Sequence, residues 1–268
     1  QEEPLSDGTL DQFFRSVYEA DAAMAGMYGA FQQCMVGESQ FNNRVSFWGD
    51  ARSDNMERQK TYTNNSTSEI HFNSLTPNNQ YADWSPLYTV IGRANLNIAR
   101  FPHINQYAKP AERITDDKLK SYLSQCYAIR AACYFYILRV WGAAPIRITP
   151  FLSLNDNPQA PRETKTKVKE QILSDLQKAY ELVSKNASPT VWYIGEGAIC
   201  AAMADVYMWK SHDDEIMPDY ANAIIWFKNL FRSKAPTGKV YNAAGSVVTG
   251  SGGAASDLET TANWKNIF

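Results

Sequence analysis

From Thr115 to Pro145 the chain reads TDDKLKSYLSQCYAIRAACYFYILRVWGAAP, and this stretch limits the fold more than any other. Leu119, Tyr122, Cys126, Ile129, Cys133, Tyr136, Ile137 and Val140 recur at helical spacing, an apolar stripe about six turns long. Thr115 is a good N-cap, and Asp116 and Asp117 place negative charge in the first turn. Gly142 and Pro145 supply the stop. A helix this apolar is stable only against neighbours, so the rest of the chain has to provide them.

Helical periodicity supplies those neighbours. Phe14, Val17, Ala20, Met24, Tyr28, Phe31 and Met35 fall on one face of a first helix that Thr9 or Asp11 can cap. Leu87, Val90, Ile91, Ala94 and Ile98 define another, from about Ser85 to Arg100. Val168, Ile172, Leu176, Tyr180 and Leu182–Val183 mark a third. Two more follow, "EGAICAAMADVYMWK" and "DYANAIIWFKNLFRS". In them, small residues (Ala198, Ala201, Ala202, Ala204) alternate with aromatics (Tyr207, Trp209, Tyr220, Trp226, Phe227). Small-and-aromatic alternation in helix pairs is the tetratricopeptide pattern, and such pairs need neighbours to bury their apolar faces. Asp116–Val140 with Lys165–Val183 reads as an earlier pair of the same kind. The expected fold is all-α: one helical domain over residues 1–268, with tetratricopeptide-like pairs over about 115–232. A long polar loop spans about 37–84, and a loop-rich tail covers 233–268.

Charge and cysteine usage narrow the function classes. The formal net charge of −2 draws the chain neither to nucleic acid nor to anionic lipid. Cys34, Cys126, Cys133 and Cys200 lie inside helical patterns and read as buried free thiols. No Cys/His spacing suits a metal, His71, His103 and His212 lie in separate contexts, and no carboxylate pair or nucleophile–base spacing stands out. The expectation is a protein without catalytic residues, cofactor or metal. Aromatics are abundant, at 13% with seven Trp and fifteen Tyr, which suits a thick core or stacking platforms for sugars or peptides.

The long polar stretch is the candidate site, because loops projecting from a rigid helical base carry function. In "FWGDARSDN", Arg52, Asp54 and Asn55 can hydrogen-bond sugar hydroxyls and Trp48 can stack on a ring. Against that stands a structural reading, in which Arg52 and Asp54 pair within the loop and Trp48 packs beneath it. Tyr62 and Tyr81 read as exposed loop aromatics, and Trp84 as packed at the start of its helix. Asn95 and Asn97 read as internal hydrogen-bonders, and Tyr136 and Trp141 as core.

Several segments together resemble the SusD/RagB-like nutrient-binding lipoproteins: "YTVIGRANLNIAR", the helix ending in Trp141-Gly142 with Pro145, Asp175-Leu-x-x-Ala179, and Ala204-x-x-Tyr207. Arg52-Ser53-Asp54 looks like that family's Arg-x-Asp loop. The resemblance runs to about Phe231. Family members are longer, and the ending "ANWKNIF" reads as an interior segment, so an N-terminal fragment or a shortened member is expected. The resemblance implies a surface protein held by a lipid to the outer membrane of a Bacteroidetes-type cell. It implies a binding subunit, not an enzyme, that captures glycans for a SusC-like TonB-dependent transporter. Oligopeptides on the same scaffold, or a plain tetratricopeptide interaction protein, are the alternatives.

Overall fold

The computed structural model describes residues 13–36, 44–54, 56, 65–152, 156–157, 159–185 and 192–234. Among these the architecture is helical, and the only β-type pairing is an isolated antiparallel bridge between Ala144 and Glu163. Six long helices carry the fold: α1 (Val17–Val36), α4 (Ser85–Arg100), α5 (Asp116–Trp141), α6 (Lys165–Leu182), α7 (Glu196–Met208) and α8 (Tyr220–Lys234). Each packs on the next in chain order, so α1 lies on α4, α4 on α5, α5 on α6, α6 on α7 and α7 on α8. The strongest pairings are α5 with α6 and α7 with α8, the two tetratricopeptide-like pairs read from the sequence.

The local signals act as their chemistry requires. The Thr115 side chain accepts from the Lys118 N–H at 3.3 Å, and the Thr164 side chain caps α6 in the same way through Lys167 at 3.3 Å. Pro86 sits in the first turn of α4, where its missing N–H costs nothing. Gly142 ends α5 at φ 76°, ψ −115°, a conformation open to glycine alone. The segments expected to cap the first helix and to form the tail, residues 9–12 and 235–268, lie outside the described residues.

The stripe on α5 understates its burial. From Ser124 to Leu138 the helix is buried on most sides, with Ala128, Ala131, Tyr134, Phe135 and Leu138 as well as Cys126, Ile129, Cys133 and Ile137 inside. It is the central helix of the fold, with α4, α6 and α7 around it. Leu87, Val90, Ile91 and Ala94 of α4, Val168, Ile172, Leu176 and Ala179 of α6, and Ile199, Cys200 and Met203 of α7 complete one core. All four cysteines are free and buried in it, as their spacing suggests.

The polar stretch between α1 and α4 is less irregular than its sequence suggests. Its described residues include two short helices, α2 (Arg44–Trp48) and α3 (Asn65–His71), and a 3₁₀ turn, Asp50–Arg52. Elements of five and seven residues are too short for a 3.6-residue period to show in the sequence.

Candidate functional site

The site is built where α5 stops. Trp141, the last residue of α5, meets Trp48 edge-on with ring centroids 5.4 Å apart, and Trp84 at 6.0 Å. Tyr136, just over one turn earlier, lies 5.9 Å from Trp48. Tyr88, one turn into α4, sits 5.8 Å from Trp84 and donates to the Pro145 carbonyl at 2.7 Å. Three indoles from three separate elements therefore form one half-buried cluster.

Their polar edges fix the loop. The Trp48 indole N–H donates to the Tyr81 carbonyl at 2.8 Å, and that of Trp141 donates to the Ala82 carbonyl at 3.1 Å. The Arg44 guanidinium ties α2 back to α1 through the Cys34 carbonyl at 2.9 Å. A half-buried indole needs a partner for its N–H, and here the partners are the backbone that carries the loop into α4. This also explains the ending Trp141-Gly142. The tryptophan holds the loop down, and the glycine turns the chain away immediately afterwards.

On this base the 49–54 turn stands out into solvent. The Arg52 N–H donates to the Gly49 carbonyl at 3.0 Å and Ser53 Oγ to the Asp50 carbonyl at 2.7 Å, which rigidifies the backbone. Arg52, Asp54, Asp50 and Met56 are exposed. Among the described residues no ion pair joins Arg52 to Asp54, so the guanidinium fork and the carboxylate are not neutralised by each other. A donor fork and an acceptor two positions apart on an exposed turn can hydrogen-bond hydroxyls. Arg162 adds a second guanidinium, 4.7 Å from the Trp84 ring.

The structure places the expected residues unequally. Arg52 and Asp54 share the exposed turn, and Trp48, four residues before Arg52, is a half-buried anchor rather than a free platform. Tyr81 corrects the expectation of an exposed aromatic: it is 3% exposed, with its ring 4.4 Å from Phe47. Its N–H is held by Asn79 Oδ1 at 2.9 Å, so the tight 79–82 turn drives the ring inwards. Asn55 and Tyr62 lie outside the described residues. Trp84 packs at the start of α4 as read, and Trp141, read as core, lies half-buried at the core edge in contact with Trp48 and Trp84. Asn95 and Asn97 are internal hydrogen-bonders: Asn95 Nδ2 donates to the Arg147 carbonyl at 3.1 Å, and Asn97 Nδ2 to the Ala23 carbonyl at 3.5 Å.

Among the described residues, no three His, Cys, Asp or Glu side chains come together in a way that could hold a metal ion. Burial pushes the Cys126 and Cys200 thiols up to about 12 and Cys34 up to about 11, and holds Cys133 protonated as well. Thiols of that kind are packing groups, not nucleophiles.

The described residues form a scaffold of packed helix pairs that presents an aromatic-backed polar loop. The family model for SusD-like proteins, described as starch-binding and associating with the outer membrane, matches residues 6–208, and the chain belongs to that family. It is 29% identical over 210 residues to SusD-like protein P38 of Formosa agariphila, a match covering 77% of this chain and 38% of that protein. SusD-like protein P2 of the same organism is 24% identical over 183 residues, covering 68% of this chain and 34% of that protein. The chain thus spans well under half the length of the curated relatives it matches.

Solved structures agree in fold. A SusD superfamily protein from Bacteroides thetaiotaomicron superposes with a TM-score of 0.68 at 19% identity, covering 85% of this chain and 50% of that one. B. fragilis NanU gives 0.68 at 17% identity, covering 91% and 49%. A laminarin-binding SusD-like protein gives 0.64 at 17% identity, covering 85% and 45%. Among the described residues no helix is long and apolar enough to cross a membrane.

Proposed function

We propose that this protein is the glycan-capturing subunit of a cell-surface uptake system, lipid-anchored at the outer membrane and passing its ligand to a SusC-like TonB-dependent transporter. The observation that carries the reading is the exposed Arg52–Asp54 turn, which follows directly on Trp48 of the Trp48–Trp84–Trp141 cluster. Rigid backing restricts the turn before ligand arrives, which lowers the ordering cost of binding. Support comes from the starch-binding description of the family and from a laminarin-binding protein that shares the fold. Asn55 and Tyr62 extend the same turn in sequence and are proposed as further contacts.

The net charge of −2 gives the protein little long-range steering, so docking to the transporter rests on apolar and hydrogen-bonded area. The test is purification of the full-length protein from native membranes in mild detergent, at native expression. Co-purification with a TonB-dependent channel, together with retention on insoluble starch or laminarin that Arg52→Ala abolishes, is expected. Recovery only as a free protein that retains on neither polysaccharide would overturn the reading.

A further inference from the structure

Two arginines meet at the Trp84–Tyr88 end of the tryptophan cluster. Arg147 lies in the stretch that follows Gly142, and Arg162 in the stretch that leads into α6. The antiparallel bridge between Ala144 and Glu163, with N–H···O distances of 3.2 and 3.0 Å, draws these stretches side by side. Tyr88 of α4 reaches the same place, since its hydroxyl donates to the Pro145 carbonyl at 2.7 Å. Burial pushes the Tyr88 phenol up to about 12, against the pull of the Arg162 and Arg147 charges, so both guanidinia lie close enough to act on one hydroxyl.

Each guanidinium is held by its face. Arg162 Cζ stands 4.7 Å from the Trp84 ring centroid, and Arg147 Cζ 5.1 Å from that of Phe151. Stacking uses the flat face of the group, whereas its N–H donors point outwards in the plane and keep their hydrogen-bonding capacity. The Arg147 backbone is fixed as well. Its N–H donates to Tyr134 Oη at 2.6 Å, and its carbonyl accepts from the Tyr134 hydroxyl at 2.8 Å and from Asn95 Nδ2 at 3.1 Å. The pair is therefore positioned from the core before any ligand arrives.

The charge of the pair is not compensated by the protein. Among the described residues no ion pair reaches Arg147 or Arg162, and Arg147 Nη2 is buried without a hydrogen-bond partner. Carboxylates close by in sequence are engaged elsewhere. Glu163 pairs with Lys167 at 2.7 Å, Asp83 accepts from the Ser85 N–H and hydroxyl at 2.9 and 2.7 Å, and Asp156 accepts from the Leu152 N–H at 2.7 Å. Arg44 and Arg232 also carry a buried Nε without a partner, but their outer nitrogens reach the Cys34 carbonyl and Glu196. A buried guanidinium N–H without an acceptor is costly, and the cost is recovered when an acceptor docks. Two planar donor forks side by side suit the oxygens of a carboxylate or a sulfate group. With a net charge of −2, the molecule as a whole does not draw anions, so the attraction is local.

We propose that Arg147 and Arg162 form an oxyanion subsite of the glycan site, and that the captured glycan carries carboxylate or sulfate groups. The proposal rests on the reading of the protein as a glycan binder and names the class of glycan. Carboxylate and sulfate share the chemistry that matters here, negatively charged oxygens that accept from N–H forks. Trp84 joins the subsite to the tryptophan cluster, because Arg162 stacks on its ring.

The experiment is calorimetric titration of the full-length protein with laminariheptaose and maltoheptaose, each in three forms: neutral, O-sulfated, and oxidised at C6 to the uronate. Heptaglutamate is titrated beside them. The expected result is that an acid-bearing form binds at least about tenfold more tightly than its neutral parent, the size of one charge-assisted hydrogen bond. Whether the sulfated or the oxidised form gains more identifies the source of the oxyanion. The ratio of acidic to neutral affinity should fall towards one in Arg147→Gln and in Arg162→Gln, and as salt is raised from about 0.05 to about 0.5 M. Arg162 is exposed, so its variant reads the subsite even where Arg147→Gln fails to fold. Neutral and acidic forms binding alike overturn the oxyanion subsite while the proposed function stands. An acidic preference that survives in the Arg147→Gln/Arg162→Gln double variant overturns it too, because the charge is then read elsewhere. Heptaglutamate binding more tightly than every glycan overturns it in favour of an acidic peptide. No binding of any heptasaccharide overturns the proposed function and this subsite with it.

Discussion

Arg130 and Asp175 face each other as a doubly bonded ion pair across α5 and α6, Nε to Oδ2 at 2.8 Å and Nη2 to Oδ1 at 2.7 Å, with side chains only 3% and 0% exposed. Arg130 Nη1 also donates to Asn95 Oδ1 of α4 at 2.7 Å and to the Ile148 carbonyl at 3.3 Å. Gln171 holds the same carboxylate at 3.0 Å. Three helices and the strand-like segment after Gly142 thus meet at one guanidinium. Asp175→Asn leaves that cation buried without its counter-charge and with one acceptor oxygen where there were two, and the expected loss is about 3–5 kcal/mol of unfolding free energy. The double variant Arg130→Met with Asp175→Leu should cost less than either single change, because no charge is stranded. Urea titrations of the four proteins check this. Additive losses would show that the pair is not the unit.

Gly142→Ala should destabilise through the backbone. The residue sits at φ 76°, where an L side chain is strained by about 1–3 kcal/mol. A Cβ there would also come within 3.0 Å of Lys165 Cε, but the lysine end can move, so the backbone dominates. Thermal unfolding of Gly142→Ala should show a fall of several degrees. An unchanged midpoint would mean that the turn after α5 relaxes freely.

High pH should weaken the fold. Burial raises Cys126 and Cys200 to about 12, Cys34 to about 11, and the Tyr28 and Tyr88 phenols to about 12. In the unfolded chain thiols titrate near 8.5 and tyrosines near about 10. Above about pH 8.5 the unfolded chain releases protons that the folded one keeps, so stability is full below that pH and falls as pH rises towards about 12. The urea midpoint should therefore drop steadily between about pH 8.5 and 11, and iodoacetamide should label the thiols only as fast as the protein opens. Rapid labelling of the folded protein at pH 8 would contradict the burial.

The helices were legible because each is long enough to repeat its period. Ser85–Arg100 and Asp116–Trp141 match their sequence signals at both ends, since Thr115, Pro86 and Gly142 act within a turn of where they stand. Arg130 was not legible. A charge inside an apolar run gives no sign of its partner 45 positions on. Tyr81 misled for a related reason: a tyrosine among Asn and Gln reads as surface, and only the Phe47 ring and the Trp48 indole, brought up by tertiary contact, bury it.

The exposed turn gives the last prediction. Arg52 and Asp54 are exposed, whereas Tyr81 is buried against Phe47 and carries the carbonyl that anchors Trp48. The two kinds of residue should therefore separate cleanly. Arg52→Ala with Asp54→Ala removes donors and an acceptor from the turn without touching its backbone. A charged hydrogen bond is worth about 1.5–3 kcal/mol, so losing both should weaken a micromolar glycan affinity by at least about a hundredfold. The melting temperature should stay within a degree or two, as for most surface changes. Tyr81→Ala should do the reverse at first, lowering the melting temperature by the cost of a large cavity, about 3–5 kcal/mol for an aromatic ring. Any loss of affinity in that variant should follow from the loosened loop. Calorimetric titration with maltoheptaose or laminariheptaose, run beside thermal unfolding of the full-length variants, reads both quantities. If the Arg52/Asp54 double variant binds as tightly as the parent, the turn is not a glycan contact.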